Sequence, residues 1–117
     1  MSPGESPADA AAEVLIVISA PPGLGDAVTD FLLEQEDGGF TSFAVAGHSS
    51  RHDHFSVAEQ VRGHEGRVRF EAIRAAGSQA GLIERLCAQF AGADIHYWVL
   101  PVLGSGRMPG AVSHAED

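Results

Sequence analysis

The chain has 117 residues and a formal net charge of −9, from 16 acidic residues and 7 basic ones, and every basic residue is Arg. The missing lysine excludes a Walker-type phosphate loop and Schiff-base chemistry, and the acidic balance speaks against nucleic acid and anionic membranes as partners. The length is that of one domain, and 44% hydrophobic residues supply a modest core.

Residues 1–12 read as a disordered leader, low in hydrophobicity and carrying Pro3 and Pro7. Its negative start lacks the basic and apolar regions of a signal peptide. No run approaches the ~20 apolar residues of a membrane span. The expectation is a cytoplasmic protein with no direct membrane insertion. Cys87 is the single cysteine, which excludes an intrachain disulfide and a Cys-x-x-Cys site.

A first strand is predicted over 13–20, rich in β-branched residues. Pro21, Pro22 and Gly23 end it. A helix comes next over 24–35, with Leu24, Val28, Phe31 and Leu32 on one stripe. Gly38 and Gly39 stop that helix before a second strand over 40–46. Residues 47–66 form a long loop with four of the six histidines. Ser56 and Glu59 have the spacing of a capping box, so a helical turn is predicted near 56–61. Loops of more than ~12–15 residues in compact domains are usually functional or disordered. A third strand over 67–73 alternates Val68, Phe70 and Ala72 with Arg67, Arg69 and Glu71, which predicts one buried and one charged face. A second helix over 78–90 places Leu82, Ile83, Leu86 and Phe90 inward, and Gly92 caps it. The last strand covers 94–102, and 104–117 form a flexible tail.

This order predicts an α+β, ferredoxin-like βαββαβ antiparallel sandwich, with both helices on one sheet face and a long loop between strands two and three. The domain spans 13–103. The second sheet face is apolar too. Leu15 and Val17 line it in the first strand, and Trp98, Leu100 and Val102 in the last. Burial of that face against another subunit is expected.

The chain resembles the PII-like superfamily, the trimeric PII and CutA-type ferredoxin-like proteins. The resemblance rests on the Pro turn before helix one, on Gly39-Phe-Thr-Ser-Phe-Ala-Val-Ala-Gly47, on a long loop at the PII T-loop position, and on Val99-Leu-Pro-Val102. It covers about residues 13–104. Within the superfamily, Gly47-His48, Ser50-Arg51-His52, Ser56-x-Ala58-Glu59-Gln60-Val61 and Ile95-His-Tyr-Trp-Val-Leu-Pro101 are similar to a bacterial family of unassigned function, often encoded beside heavy-metal efflux pumps. The resemblance implies a homotrimeric regulatory or binding protein. Its implied partner is a membrane transporter, such as a metal-efflux component, or a regulatory protein. The departures also count. Nucleotide-binding PII proteins carry basic residues between helix two and strand four, where this chain has Ala91-Gly-Ala-Asp94. After strand four only Arg107 is basic, and the T-loop position has no tyrosine to accept a uridylyl group.

The histidines carry the clearest chemical signal. His48, His52, His54 and His64 supply imidazole, which suits Zn, Cu, Ni and Co. His48 and His52 share a face if the segment is helical, and His52 and His54 share one if it is extended. Asp53 and Glu65 can add oxygen ligands. The plainer reading is four solvated loop histidines. The alternative ligand is a small anion or an adenine nucleotide held between subunits, by Arg51 or by Arg107, whose segment Gly104-Ser105-Gly106-Arg107 offers backbone N–H groups and one guanidinium to an anion. His96 reads as a structural strand residue and Cys87 as packing. Tyr97 and Trp98 read as core or subunit-interface residues. Asp26, Asp30 and Glu34 form a solvated helix stripe. No nucleophile–base pair is assignable, so a binding module is expected rather than an enzyme.

Overall fold

The computed structural model describes residues 10–48 and 65–110. Alternating and β-branched residues make β1 (Glu13–Ala20). Pro22 pre-sets the first turn of the helical segment after it, because its missing N–H would be unpaired there anyway. The chain passes through a 3₁₀ turn, Pro22–Leu24, into α1 (Gly25–Gln35). Then come β2 (Thr41–Gly47), β3 (Glu65–Ala75), α2 (Gln79–Gln89) and β4 (His96–Val102). The four strands lie in the order β2-β3-β1-β4, every neighbour antiparallel. This is the predicted ferredoxin-like α+β fold.

The register sorts side chains by face, because the strand period is two. Val14, Ile16, Ile18 and Ala20 oppose Arg74, Ala72, Phe70 and Val68 in turn. These residues face the helices. Ile16, Ile18 and Phe70 pack there against Val28, Phe31 and Leu32 of α1 and Leu82 and Leu86 of α2, all nearly inaccessible. Phe31 meets Phe90 edge to face, with ring centroids 5.9 Å apart. Burying each of these large side chains contributes about 1.5–3 kcal/mol.

The opposite face carries Leu15, Val17 and Ser19 of β1, with Leu100, Trp98 and His96 of β4 beside them. Phe43 and Ile73 complete it from β2 and β3. Phe43, Ile73, Trp98 and Leu100 are between 37% and 47% exposed, so this face is left open within the chain.

Three local expectations change. The first helix ends at Gln35, and Glu36 rather than a glycine takes the left-handed conformation, φ 56°. Gly38 is needed for another reason. Its φ is 129°, and a Cβ there would lie 3.3 Å from the Arg74 guanidinium. The third strand is four residues longer than predicted, two at each end. Cys87 is exposed rather than packed. The predicted turn near 56–61 lies outside the described residues.

Candidate functional site

Strand directions define two ends of the sheet. At one end Gly47 pairs with Glu65, where β2 leaves toward the long connection and β3 returns from it. At the other, Glu13 pairs with Ala75 and Val102. Ten residue steps of β3 separate the two rows, about 33 Å at the usual strand rise.

The candidate residues divide between these ends. His48 lies one residue past β2, exposed at the loop end. Gly104, Ser105 and Arg107 come after β4 and are exposed at the far end. There the Ser105 hydroxyl donates a hydrogen bond to the Glu13 carboxylate. Arg51, His52, His54 and His64 lie outside the described residues. Among the described residues no three His, Cys, Asp or Glu side chains are grouped to hold a metal ion.

The loop end contains a network that the sequence pattern does not announce. The strand alternation puts Arg67 on a solvated charged face, yet it is only 7% exposed. Its Nε donates to Ser19 Oγ at 3.1 Å, and Nη2 donates to the carbonyls of Ser19 and Asp94 at 2.8 and 3.0 Å. Nη1 donates to Asp94 Oδ2 at 3.0 Å. One guanidinium thus ties the start of β3 to the end of β1 and to the α2–β4 connection. That connection has no basic residue of its own, and β3 supplies one from 27 positions away.

The same carboxylate orients His96, whose Nε2 lies 3.0 Å from Asp94 Oδ1. Partial burial of Asp94 works against its charged form. The hydrogen bond to His96, and the charge and hydrogen bond of Arg67, outweigh it and hold the carboxyl below its ordinary value. An ionised Asp94 accepts, so Nε2 carries a proton. The His96 side chain is 67% exposed. Chemically this is an exposed imidazole oriented by a carboxylate, not a buried core histidine. The signal for it is local, since Asp94 and His96 are two residues apart.

Arg74 does a similar task at the far end, on the helix face. Nη1 donates to the carbonyls of Gly39 and Ile73, both at 2.9 Å, and Nη2 to that of Gly38 at 3.2 Å. Its Nε is 3.1 Å from Asp37 Oδ1, close enough for an ion pair but off the direction of a hydrogen bond. The α1–β2 turn is clamped there. A cleft of about 370 Å³ adjoins it on the open face, lined by Leu15, Phe40, Thr41, Glu71 and Ile73 among others.

Comparison with known proteins fits this architecture. The family profile described as "Protein of unknown function (DUF3240)" matches residues 10–109. A crystal structure of a DUF3240 family protein from Shewanella baltica OS155 is 25% identical, with a TM-score of 0.68, over 84% of this chain and 98% of that one. The Arabidopsis thaliana PII protein bound to citrate is 17% identical, with a TM-score of 0.59, over 79% of this chain and 78% of that one. CPII, a nitrogen regulatory PII-like protein from Thiomonas intermedia K12 bound to ADP, AMP and bicarbonate, is 17% identical, with a TM-score of 0.62, over 81% and 93%. These likenesses show the PII-like fold. No curated protein matches the sequence. Among the described residues no helix is long and apolar enough to cross a membrane.

Proposed function

The chain belongs to the DUF3240 family, and from that premise we propose that it is a PII-like regulatory and binding module rather than an enzyme. In this reading it is a cytoplasmic homotrimer whose 47–66 segment binds a transition metal and contacts a partner protein. The observation that carries the reading is the placement of that segment. It joins the two strands whose shared end is locked to β1 and to the α2–β4 connection by Arg67. A rigid base makes the state of the segment, rather than that of the sheet, the variable a ligand can change.

The ligand class comes from residue chemistry. His48, His52, His54 and His64 offer imidazole to Zn, Cu, Ni or Co. Binding would fix the segment and present a different surface, and a metal-efflux component is the partner this chemistry suits. Trimer formation is supported by the half-exposed Phe43, Ile73, Trp98 and Leu100 on the open face. Calorimetric titration with each metal tests the reading. Binding well below millimolar, lost in the His48→Ala, His52→Ala, His54→Ala triple variant, is expected. Binding unchanged in that variant rejects it.

A second reading keeps the module and changes the ligand. PII-like relatives hold citrate, or ADP, AMP and bicarbonate. Within one chain, Gly104, Ser105 and Arg107 lie at the opposite end of the sheet from the base of the loop that carries Arg51. A site using both ends would therefore draw on two subunits. Thermal stabilisation by AMP, ADP, ATP or bicarbonate with no response to metals favours this reading.

A further inference from the structure

At the loop end of the sheet, donors from two strands converge on one carboxylate. Arg67 Nη1, from β3, lies 3.0 Å from Asp94 Oδ2. His96 Nε2, from β4, lies 3.0 Å from Asp94 Oδ1. Each carboxylate oxygen therefore has its own donor, one of them cationic. Asp94 itself belongs to the connection between α2 and β4. All these contacts are made within one chain, so the arrangement does not depend on what covers the open face.

The donors do not owe their positions to the Asp94 side chain. The Arg67 guanidinium is anchored by Nε to Ser19 Oγ and by Nη2 to the main-chain carbonyls of Ser19 and Asp94. The planar guanidinium then fixes where Nη1 points. His96 is the first residue of β4 and pairs with Ser19 of β1, so the sheet sets its backbone. The acid is the more exposed partner of the ion pair, at 53% against 8% for the Arg67 side chain. Two donors placed by the fold around a planar two-oxygen group make a carboxylate receptor. A buried cation at a connection that has no basic residue of its own would draw in a small anion from solvent. Here the chain supplies that anion itself.

We propose that Arg67 Nη1 and His96 Nε2 form a receptor for a small carboxylate, and that Asp94 occupies it as a built-in ligand, closing the α2–β4 connection to free anions. Asp94 is thereby a specificity-determining residue. The proposal stands whether or not the 47–66 segment binds metal, and its test needs no metal.

The test is restoration of the missing group from solution. Asp94→Ala removes the carboxylate and leaves the Asp94 carbonyl to Arg67, and formate is the carboxylate it lacks. The full chain is titrated with formate at constant ionic strength, balanced with chloride, and read by thermal shift and by the His96 ring resonances. Asp94→Ala should gain Tm saturably, and its His96 resonances should move with the same midpoint, at about 1–100 mM for so small a ligand. The parent and Asp94→Asn, whose side chains fill the receptor, should not respond. His96→Ala added to Asp94→Ala should weaken formate binding about twofold to tenfold, the loss of one hydrogen bond. A response of the parent or of Asp94→Asn equal to that of Asp94→Ala overturns the proposal. So does a response of Asp94→Ala that never saturates, or one that leaves the His96 resonances still. If Asp94→Ala does not fold, Asp94→Ser is titrated in its place and read by the same outcomes.

Discussion

The two faces of the sheet are built from the same strands but reach different degrees of completion. On the helix side, Ile16, Ile18, Phe70, Phe31, Leu32, Leu82 and Leu86 close a core without any help from outside the chain. On the open side, Phe43, Ile73, Trp98 and Leu100 remain about half exposed, and the Arg69 guanidinium lies on the Trp98 indole. Burial thus decides folding on one side, while on the other it is left for something else to finish. The proposed assembly is therefore assigned to the open side.

Substitutions should separate the two faces, the most damaging first. Phe31→Ala removes a fully buried ring from the closed side, and chemical denaturation should show a loss of about 3–5 kcal/mol. Leu100→Asp on the open side should leave the far-ultraviolet circular dichroism intact while abolishing the assembly, as read by light scattering. A Leu100→Asp chain that unfolds as badly as Phe31→Ala would erase the distinction.

Arg67→Met comes next. It leaves the Ser19 and Asp94 carbonyls without their donor and Asp94 without its cation, at a cost of about 2 kcal/mol. Denaturant midpoints measure it. Asp94→Asn should cost less, about 1 kcal/mol at most, because that carboxylate is 53% exposed and screened by water. Its pH dependence is the sharper readout. Asp94 has a lower pKa folded than unfolded, so its contribution is present above about pH 4–5 and fades as pH falls through the depressed value. Melting curves of parent and Asp94→Asn should converge in acid. A gap that widened there would contradict the network. Smallest of all, the triple loop histidine variant should change stability by no more than about 0.5 kcal/mol, since its effect belongs to ligand binding.

Much of the frame is legible in the sequence, because it rests on local periodicity. The stripe of Val28, Phe31 and Leu32 marks α1, and the alternation through Phe70 and Ala72 marks β3 and its inner face. Two apolar parities in β1 and β4 already imply a second face in need of cover. The arginines are not legible in the same way. Arg67 holds the right parity for the open face, but its burial depends on Ser19 and Asp94, distant in sequence by 48 and 27 positions. No local pattern reports such partners. Arg74 continues the inward series 68, 70, 72, but it lies one residue beyond the strand that the pattern marks, which stops at 73. The absence of lysine takes on a new meaning here. A planar fork with several fixed donors can satisfy carbonyls from two connections at once, and an ammonium serves that task less well. The arginines of β3 use it twice for the fold, at Arg67 and Arg74. The loop histidines, by contrast, are visible as composition alone, and His48 alone of the four proposed ligands lies among the described residues.

Completion of the open face by further copies of the chain is the point on which the contrast between the two sides rests. Native mass spectrometry of the purified protein decides it, with Leu100→Asp as the comparison. The mass of three chains is expected for the parent protein and of one chain for the variant. A parent protein that flies as a single chain across micromolar concentrations would contradict it.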